Sequence, residues 1–211
     1  MSAPSPAQFP SRQADTASRA GAWLFRHRTA AALPFAIALL TLRTGEAAPN
    51  PWLSAAGLAL TAAGELTRLW AVRHIGTISR TRSDRLGPLV ESGPFALVRN
   101  PLYLGNLALW TGFALTVRLV WLAPVIVMLL GAAYHVIVRW EERLLEARLG
   151  DAYSAYARRA PRWIPAVPAH RTQLPAPLFP WRETFYSERG TLIAIATGYF
   201  FIWLKLHRRI G

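Results

Sequence analysis

The sequence contains no cysteine and only one lysine, Lys205. Without cysteine the chain can form no disulfide bond, no thiolate metal site and no cysteine nucleophile, and its redox compartment cannot be read. Acidic residues are also scarce, with 11 aspartates and glutamates against 24 basic residues, and charged residues make up 17% of the chain. Because soluble domains carry roughly 25% charged residues, this composition is unusual for a soluble protein.

Apolar residues form 53% of the sequence and are gathered in long blocks, at residues 29–42, 52–72, 102–116, 119–138 and 191–204. This grouping predicts an all-α integral membrane protein, a small bundle of about five hydrophobic helices. The last block is marginal for a span, so its depth in the bilayer stays open.

The net charge of +13 comes almost entirely from arginines in the loops that flank the apolar blocks. This placement follows the positive-inside rule and predicts that the N-terminus lies on the cytoplasmic side. It favours anionic lipid headgroups over nucleic acid as the partner of the positive charge. Arg26, His27 and Arg28, at the start of the first block, are expected to reach towards headgroups.

Composition divides the chain into four parts. Residues 1–20, rich in Ser, Ala and Pro, are expected to be a disordered tail, and residues 21–88 hold the first membrane helices and a basic cytosolic loop. Residues 89–165 form the core that carries the motifs, and residues 166–211 hold a proline-rich segment and the last hydrophobic helix.

Ionisable residues in and after the second block have two readings each. Glu65 and Arg68 share a helical face, either as a structural ion pair near the interface or as a functional intramembrane pair. Arg73 and His74 begin the basic loop and are either anchors or parts of a lid over a site. The further loop arginines are expected to be positive-inside anchors; they are Arg80, Arg82 and Arg85.

The stretch at residues 89–106 interrupts the apolar pattern with two prolines, two glycines and an arginine. Its Gly-Pro and Asn-Pro pairs are turn signals, and residues before proline avoid the helical region, so no helix is expected to run through residues 92–101. Alone, it could be a simple loop between membrane helices. The motifs in and after it are Gly-Pro-Phe at 93–95, Arg-Asn-Pro-Leu-Tyr-Leu-Gly at 99–105, Glu-Glu at 141–142, Gly-Asp-Ala-Tyr-Ser-Ala-Tyr at 150–156 and Arg-Trp-Ile-Pro at 162–165.

In this order the motifs resemble those of the membrane methyltransferases of the isoprenylcysteine carboxyl methyltransferase and phospholipid N-methyltransferase type. The resemblance covers roughly residues 89–165 and is specific to the superfamily rather than to one substrate. It implies S-adenosylmethionine as the methyl donor, taken from the cytoplasmic side by a cytosolic C-terminal cofactor-binding region of the bundle. It also implies an amphiphilic acceptor from the lipid bilayer, lipid-like or prenylcysteine-like, methylated on a carboxylate oxygen or an amine nitrogen, and no metal.

The amino-acid end of this cofactor needs acids for its ammonium group and a cation or backbone amides for its carboxylate. By resemblance, the motif at 99–105 and the Glu-Glu pair bind it. The residues expected to bind the cofactor are Leu89, Val90, Gly93, Arg99, Asn100, Pro101, Tyr103, Gly105, His135, Glu141 and Glu142. The residues expected to take part in catalysis are Glu142, Tyr153 and Arg162.

Within the motif at 99–105, Arg99 is expected near the cofactor carboxylate. Pro101 and Gly105 shape the loop and let the backbone come close to the ligand. Tyr103 could stack on the cofactor or hydrogen bond to it. Asn100 stands where the family usually has histidine, so it keeps hydrogen-bonding capacity but loses a titratable ring.

Adjacent helical residues point about 100° apart, so Glu141 and Glu142 cannot share one role. One is expected to face the ligand and the other to pair with Arg139, Arg143 or a loop arginine. His135, Arg139 and Glu142 follow an i, i+4, i+7 spacing, which makes their common face the candidate pocket side. His135 alone could equally be a core histidine.

The segment after the Glu-Glu pair also has two readings. Tyr153, Tyr156, Arg158 and Arg162 either form a surface helix against headgroups or cap the cofactor, with an arginine meeting an anionic substrate. Two alternatives to methyl transfer stay open as well. One is an NADPH-dependent membrane reductase of the sterol-reductase type, and the other is a non-catalytic transporter or scaffold carried by Glu65 and Arg68.

Overall fold

The computed structural model describes residues 16–76, 89–166 and 178–207, and these ranges contain helices and no strand. The N-terminal residues 1–15, the loop arginines Arg80, Arg82 and Arg85, and the prolines at 168, 175 and 177 lie outside the described residues. The helices are α1 Thr16–His27, α2 Leu33–Thr41, α3 Pro51–Ile75, α4 Pro94–Leu97, α5 Pro101–Thr116, α6 Leu122–Leu149, α7 Asp151–Arg159 and α8 Trp181–His207.

Local sequence signals set several helix ends. The side chain of Asn50 accepts hydrogen bonds from the backbone N–H groups of Trp52 at 2.9 Å and Leu53 at 3.3 Å, which caps α3. Pro101 occupies the first turn of α5, where its missing N–H costs nothing. Gly150 has φ 53° and separates α6 from α7, a conformation that glycine adopts without strain.

Helices α3 and α5 form the closest pair of the bundle. A Cβ built on Gly64 would lie 2.7 Å from the carbonyl oxygen of Gly105, and one built on Gly112 would lie 2.6 Å from the carbonyl oxygen of Gly57. The small residues therefore let the two backbones touch, as in many membrane helix pairs. This pair forms a rigid frame on which the motif loop before α5 is mounted.

Helix α6 is the core element. Its Ile126, Leu130 and Ile137 are almost fully buried. Along its length, α1 packs on its second half, where Gly21 contacts Trp140. The core continues towards α2 and α8 through Leu39 and Ile202.

Among the described helices, α6 and α8 are long and apolar enough to cross a membrane. The described residues are all-helical, as the sequence predicted. The bundle of about five membrane helices and its cytosolic side stay predictions. The last hydrophobic block, predicted as about 14 residues, belongs to a helix of 27 residues. The hydrophobic pattern predicted too short a helix, because the first turns of α8 contain the charged residues Arg182, Glu183 and Glu188.

A buried charge cluster lies at the end of the bundle where α8 finishes. Lys205 Nζ donates to the backbone carbonyl of Leu39 at 2.8 Å and lies 3.4 Å from Oε1 of Glu46. Arg118 Nη2 lies 3.4 Å from the other oxygen of Glu46. The cluster ties the end of α8 to the end of α2 and to the turn between α5 and α6.

The first hydrophobic block differs from its prediction. Helix α1 already begins at Thr16, whereas the tail was expected to reach residue 20. The block is divided by a 3₁₀ turn at Ala30–Ala32, and α2 starts at Leu33. Pro34 lies in the first turn of α2, so it begins a new helix rather than kinking a continuous one.

Candidate functional site

The motif loop before α5 is held against the segment that follows α7. The backbone N–H of Arg99 donates to the carbonyl of Pro161 at 2.9 Å, and that of Ala166 donates to the carbonyl of Leu97 at 3.0 Å. Asn100 Nδ2 donates to the carbonyl of Arg162 at 3.1 Å. The residue that replaces the family's histidine therefore fixes the position of the second motif arginine.

Glu142 joins the two arginines. Its Oε1 lies 3.0 Å from Nη1 of Arg99, and its Oε2 accepts a hydrogen bond of 2.7 Å from Nη2 of Arg162. The side chain of Glu142 is only 12% exposed. The hydrogen bond from Arg162 raises the pKa of that arginine above its usual value, so its positive charge is permanent. The pairing partner of Glu142 is thus a pair of loop arginines, one of the options that the sequence left open.

Glu141 points elsewhere and has a different partner. Its Oε2 accepts a hydrogen bond of 3.1 Å from the hydroxyl of Tyr103. The ring of Tyr103 lies against that of Tyr134, with 4.8 Å between the ring centroids. Adjacent acids on one helix therefore serve different neighbours, as their angular separation requires.

Helix α7 closes the site through two buried tyrosines. The hydroxyl of Tyr156 donates to the carbonyl of Phe95 at 2.8 Å, which fastens α7 to α4. Burial, with the Glu142 carboxylate nearby, raises the pKa of Tyr153 above its usual value, although Arg99 acts in the opposite direction. The Tyr153 hydroxyl therefore stays protonated at neutral pH and keeps a proton to donate. Glu91, which precedes α4, forms an ion pair with Arg159 of α7.

A cavity of about 940 Å³ adjoins these groups. The predicted site residues that line it are Leu89, Val90, Arg99, Asn100, Pro101, Tyr103, Glu141, Glu142 and Tyr153. The cavity then follows α5 from Pro101 to Phe113, a distance of roughly 18 Å at the α-helical rise per residue. Its far wall is apolar and includes Leu39 and Ile202. One chamber thus has a charged end and a hydrocarbon-lined end.

Four predicted residues lie outside the cavity lining. Arg162 reaches the site through Glu142. Gly93 has φ 60°, and a Cβ there would lie 2.3 Å from the ring of His74. Gly105 faces α3, so its missing side chain serves helix packing. His135 is exposed and accepts a 3.2 Å hydrogen bond at its Nδ1 from Trp163, so of the face that it was expected to share with Glu142, only Glu142 lines the cavity.

A second polar group lies in the cavity wall around Arg68, which the sequence singled out, but its partners Glu188 and Asn106 were not predicted. Arg68 Nη2 lies 2.6 Å from Oε2 of Glu188, and its Nη1 donates to Oδ1 of Asn106 at 2.7 Å. Glu65 also lies 3.6 Å from Arg68, as their spacing predicted. The main partner, Glu188, lies 120 residues away along the chain, and no local pattern signals such a contact. Asn106 is in turn hydrogen bonded to Tyr134, which connects this group with Tyr103.

Arg73 and His74, left open by the sequence, lie at the end of α3. The guanidinium of Arg73 stacks over the ring of Trp181, 4.1 Å from its centroid, and the Arg73 carbonyl accepts from the N–H of Phe179 at 2.9 Å. Arg73 thus fixes the start of α8 rather than lining the cavity. Within the described ranges, no group of three or more His, Cys, Asp or Glu side chains could hold a metal ion.

Comparison with known proteins finds a match to a family model over about half of the chain. The sequence model described as phospholipid methyltransferase matches residues 52–152, which include the motif at 99–105 and the Glu-Glu pair. This match confirms the resemblance to membrane methyltransferases. Arg162 and all of α8 lie beyond the matched residues, and α1 and α2 lie before them.

Two curated relatives are named after metal resistance. The nickel-cobalt-cadmium resistance protein NccN of Alcaligenes xylosoxydans xylosoxydans is 27% identical over 157 residues, 72% of this chain and 70% of that protein. The cobalt-zinc-cadmium resistance protein CzcN of Cupriavidus metallidurans is 27% identical over 122 residues, 58% of this chain and 53% of that protein. No solved structure matches the chain at a significant level.

Proposed function

Since residues 52–152 carry the pattern of the phospholipid methyltransferase family, we propose that this protein is an S-adenosylmethionine-dependent methyltransferase acting on membrane-embedded amphiphiles. The cavity of about 940 Å³ carries the proposal, because its charged end holds the motif residues and its far end is apolar. A polar methyl donor and a hydrocarbon-bearing acceptor have opposite solvation needs, and this chamber meets both. Whether the acceptor atom is a carboxylate oxygen or an amine nitrogen stays open.

The residues present fit the cofactor. The volume of about 940 Å³ lies at the upper end of the roughly 300–1,000 Å³ of small-molecule sites, which leaves room for a second ligand. Nε of Arg99 is buried and makes no hydrogen bond to any described residue. A buried N–H without a partner is costly, so it suits the carboxylate of the cofactor's amino-acid end.

We assign different tasks to the two glutamates. Glu142 is bound by both Arg99 and Arg162, so its charge is already neutralised and its role is to position these arginines. Glu141 lines the cavity and accepts a hydrogen bond from the Tyr103 hydroxyl, so its carboxylate retains lone pairs for a further donor. Glu141 is therefore the better partner for the ammonium group.

When bound, S-adenosylmethionine supplies a methyl group that its sulfonium already activates. The chain has to align the acceptor with that methyl group and keep water out. Tyr153, buried and protonated beside Arg99, can donate a hydrogen bond that orients the acceptor headgroup. Arg162 lies outside the cavity and contacts Glu142, so it adds a permanent positive charge next to the site. An anionic acceptor is favoured by this arrangement and needs no base.

The acceptor enters from the side, between α2 and α8. Leu33 of α2 and Ile193 and Phe201 of α8 all line the cavity, yet they are 58%, 64% and 45% exposed. Exposed apolar residues on a cavity rim suit contact with lipid chains. Lys205 ties the ends of the same two helices together and so holds them in place at one end of this opening.

Cofactor binding to the detergent-solubilised protein tests the proposal. At a concentration about 100 times its Kd, S-adenosylmethionine should stabilise the wild type by about 2.7 kcal/mol, measured as a rise in Tm. Glu141→Gln and Arg99→Ala should lose this stabilisation. Glu146→Gln, an exposed acid one turn further along α6, is the matched control and should keep it.

The reasoning fails if saturating S-adenosylmethionine does not shift the Tm of the wild type. NADPH, tested in parallel, separates the reductase alternative, because stabilisation by NADPH alone would favour that chemistry. Methyl transfer from radiolabelled cofactor into total lipid extract, analysed by chromatography, then identifies the acceptor class.

A further inference from the structure

Arg28 follows directly after α1 and lines the cavity. Its guanidinium lies 4.3 Å from the ring centroid of Phe25, another residue of the cavity wall. The sequence predicted that Arg28 reaches out to headgroups together with Arg26. The structure separates them, since Arg26 is exposed and absent from the cavity lining, whereas Arg28 is half-buried and faces the chamber.

The other cavity arginines already have carboxylate partners. Arg68 is bound by Glu188, and Arg99 by Glu142. Over the part of the chain that the structure describes, Arg28 forms no ion pair with a carboxylate. Its charge is felt at Glu141, but the carboxylate of Glu141 is hydrogen bonded to Tyr103 instead. A half-buried guanidinium in an apolar wall is stabilised by an anion, and this one has room for it.

The surroundings of Arg28 indicate which anion fits. Thr29, next in the chain, also lines the cavity and carries a hydroxyl that can donate. Helix α2 follows at once, and its cavity-facing residues Leu33, Leu39 and Leu40 are apolar. An anion at Arg28 would therefore have its hydrocarbon chain laid along α2, while the charged end of the chamber stays free for the methyl donor.

We propose that Arg28, with Thr29, binds the phosphate-type oxyanion of the amphiphilic acceptor. This rests on the proposed methyl transfer and adds to it the chemistry that selects the acceptor. A guanidinium matches phosphate oxygens with two parallel N–H···O bonds, which fixes orientation as well as affinity. Arg28 precedes residue 52, where the family match begins, so the contact belongs to this chain's N-terminal helices rather than to the shared core.

Binding of n-dodecyl phosphate to the full chain in a neutral detergent tests the proposal, with tryptophan fluorescence as the readout. Arg28→Ala should raise the Kd about tenfold or more, the equivalent of about 1.4 kcal/mol. Arg28→Lys should recover part of the affinity, because lysine keeps the positive charge but cannot form the two parallel N–H···O bonds of a guanidinium. Arg26→Ala is the control and should bind as the wild type does. Arg28→Gln, with a similar length and no charge, replaces Arg28→Ala if that variant does not fold.

Three further binding measurements separate the amphiphile from free phosphate, from a neutral alcohol and from the methyl donor. Inorganic phosphate and n-dodecanol should both bind much more weakly than n-dodecyl phosphate, because each lacks one half of the amphiphile. The Kd of S-adenosylmethionine should be the same in Arg28→Ala and in the wild type.

The proposal is overturned if Arg26→Ala and Arg28→Ala weaken n-dodecyl phosphate equally, which would indicate general surface charge. It is also overturned if Arg28→Ala weakens only S-adenosylmethionine, which would assign Arg28 to the cofactor. Tight binding of inorganic phosphate would point to a free anion and likewise end it. Failure of the wild type to bind S-adenosylmethionine would refute the methyltransferase proposal alone, since the n-dodecyl phosphate measurement does not depend on it.

Discussion

Replacing Glu142 by glutamine removes the charge that holds Arg99 and Arg162 together. The substitution keeps the size of the side chain and one hydrogen-bond acceptor, so it tests the ion pairs rather than packing. Two guanidinium groups, 14% and 27% exposed, would then face each other without a counter-charge. We expect both a less stable protein and a loosened motif loop.

The geometry sets the size of the effect. The contacts of 3.0 Å to Arg99 and 2.7 Å to Arg162 are charge-assisted hydrogen bonds in a site that is largely shielded from water. Each such bond contributes about 1.5–3 kcal/mol, and the partial exposure of Arg162 favours the lower value. The loss should therefore be about 3 kcal/mol, in line with the breaking of a buried pair. For a chain of this length it corresponds to a drop in Tm of about 6–12 °C.

Thermal unfolding in detergent, followed by tryptophan fluorescence, measures this change. Glu146→Gln serves as control, because this exposed acid on the same helix forms no ion pair with any residue that the structure describes. A double-mutant cycle with Arg162→Gln should give a coupling energy of about 1 kcal/mol or more. If Glu142→Gln has the same Tm as the Glu146→Gln control, the ion-pair network contributes nothing to stability and our account of the site is wrong.

Three further substitutions, one of them with a matched control, test the packing of the helices that carry the site. Tyr156→Phe removes the hydroxyl that donates to the carbonyl of Phe95 and should cost about 1 kcal/mol in chemical unfolding. Gly64→Leu places a side chain where a Cβ already meets the backbone of α5 at 2.7 Å, so it should abolish a monodisperse peak in size-exclusion chromatography. Gly131→Leu, at a glycine whose Cβ would meet nothing within 4 Å, should leave that peak unchanged. Lys205→Met should lower stability by about 2 kcal/mol, and an unchanged Tm would deny the tie between α2 and α8 any energetic role.

The motif residues could be predicted because they lie in short, ordered patterns. Arg99, Glu142 and Arg162 were singled out from the sequence, and the structure brings them into direct contact. The i, i+3 spacing also identified Glu65 and Arg68 as neighbours. These successes rest on local spacing or on motif order, both of which survive without knowledge of the tertiary fold.

The rest depends on how distant helices meet, which a single sequence does not encode in any local pattern. Glu188 joins Arg68 across 120 residues, and Lys205 reaches the carbonyl of Leu39 across 166. Helical periodicity placed His135 on the face of Glu142, yet Glu142 lines the cavity while His135 lies outside it and accepts a hydrogen bond from Trp163. Periodicity thus finds a helix face but not the neighbour that it meets.

The same cavity is lined by the charged motif residues and by apolar residues of α2 and α8. Donor and acceptor bound in it would meet directly, so no side chain would have to be alkylated as a relay. Initial-rate measurements should then give intersecting double-reciprocal lines, the mark of a ternary complex, instead of the parallel lines of a ping-pong scheme. Spent donor that lingers beside Arg99 would hold back the next turnover, and inhibition by the demethylated product would measure how long it stays.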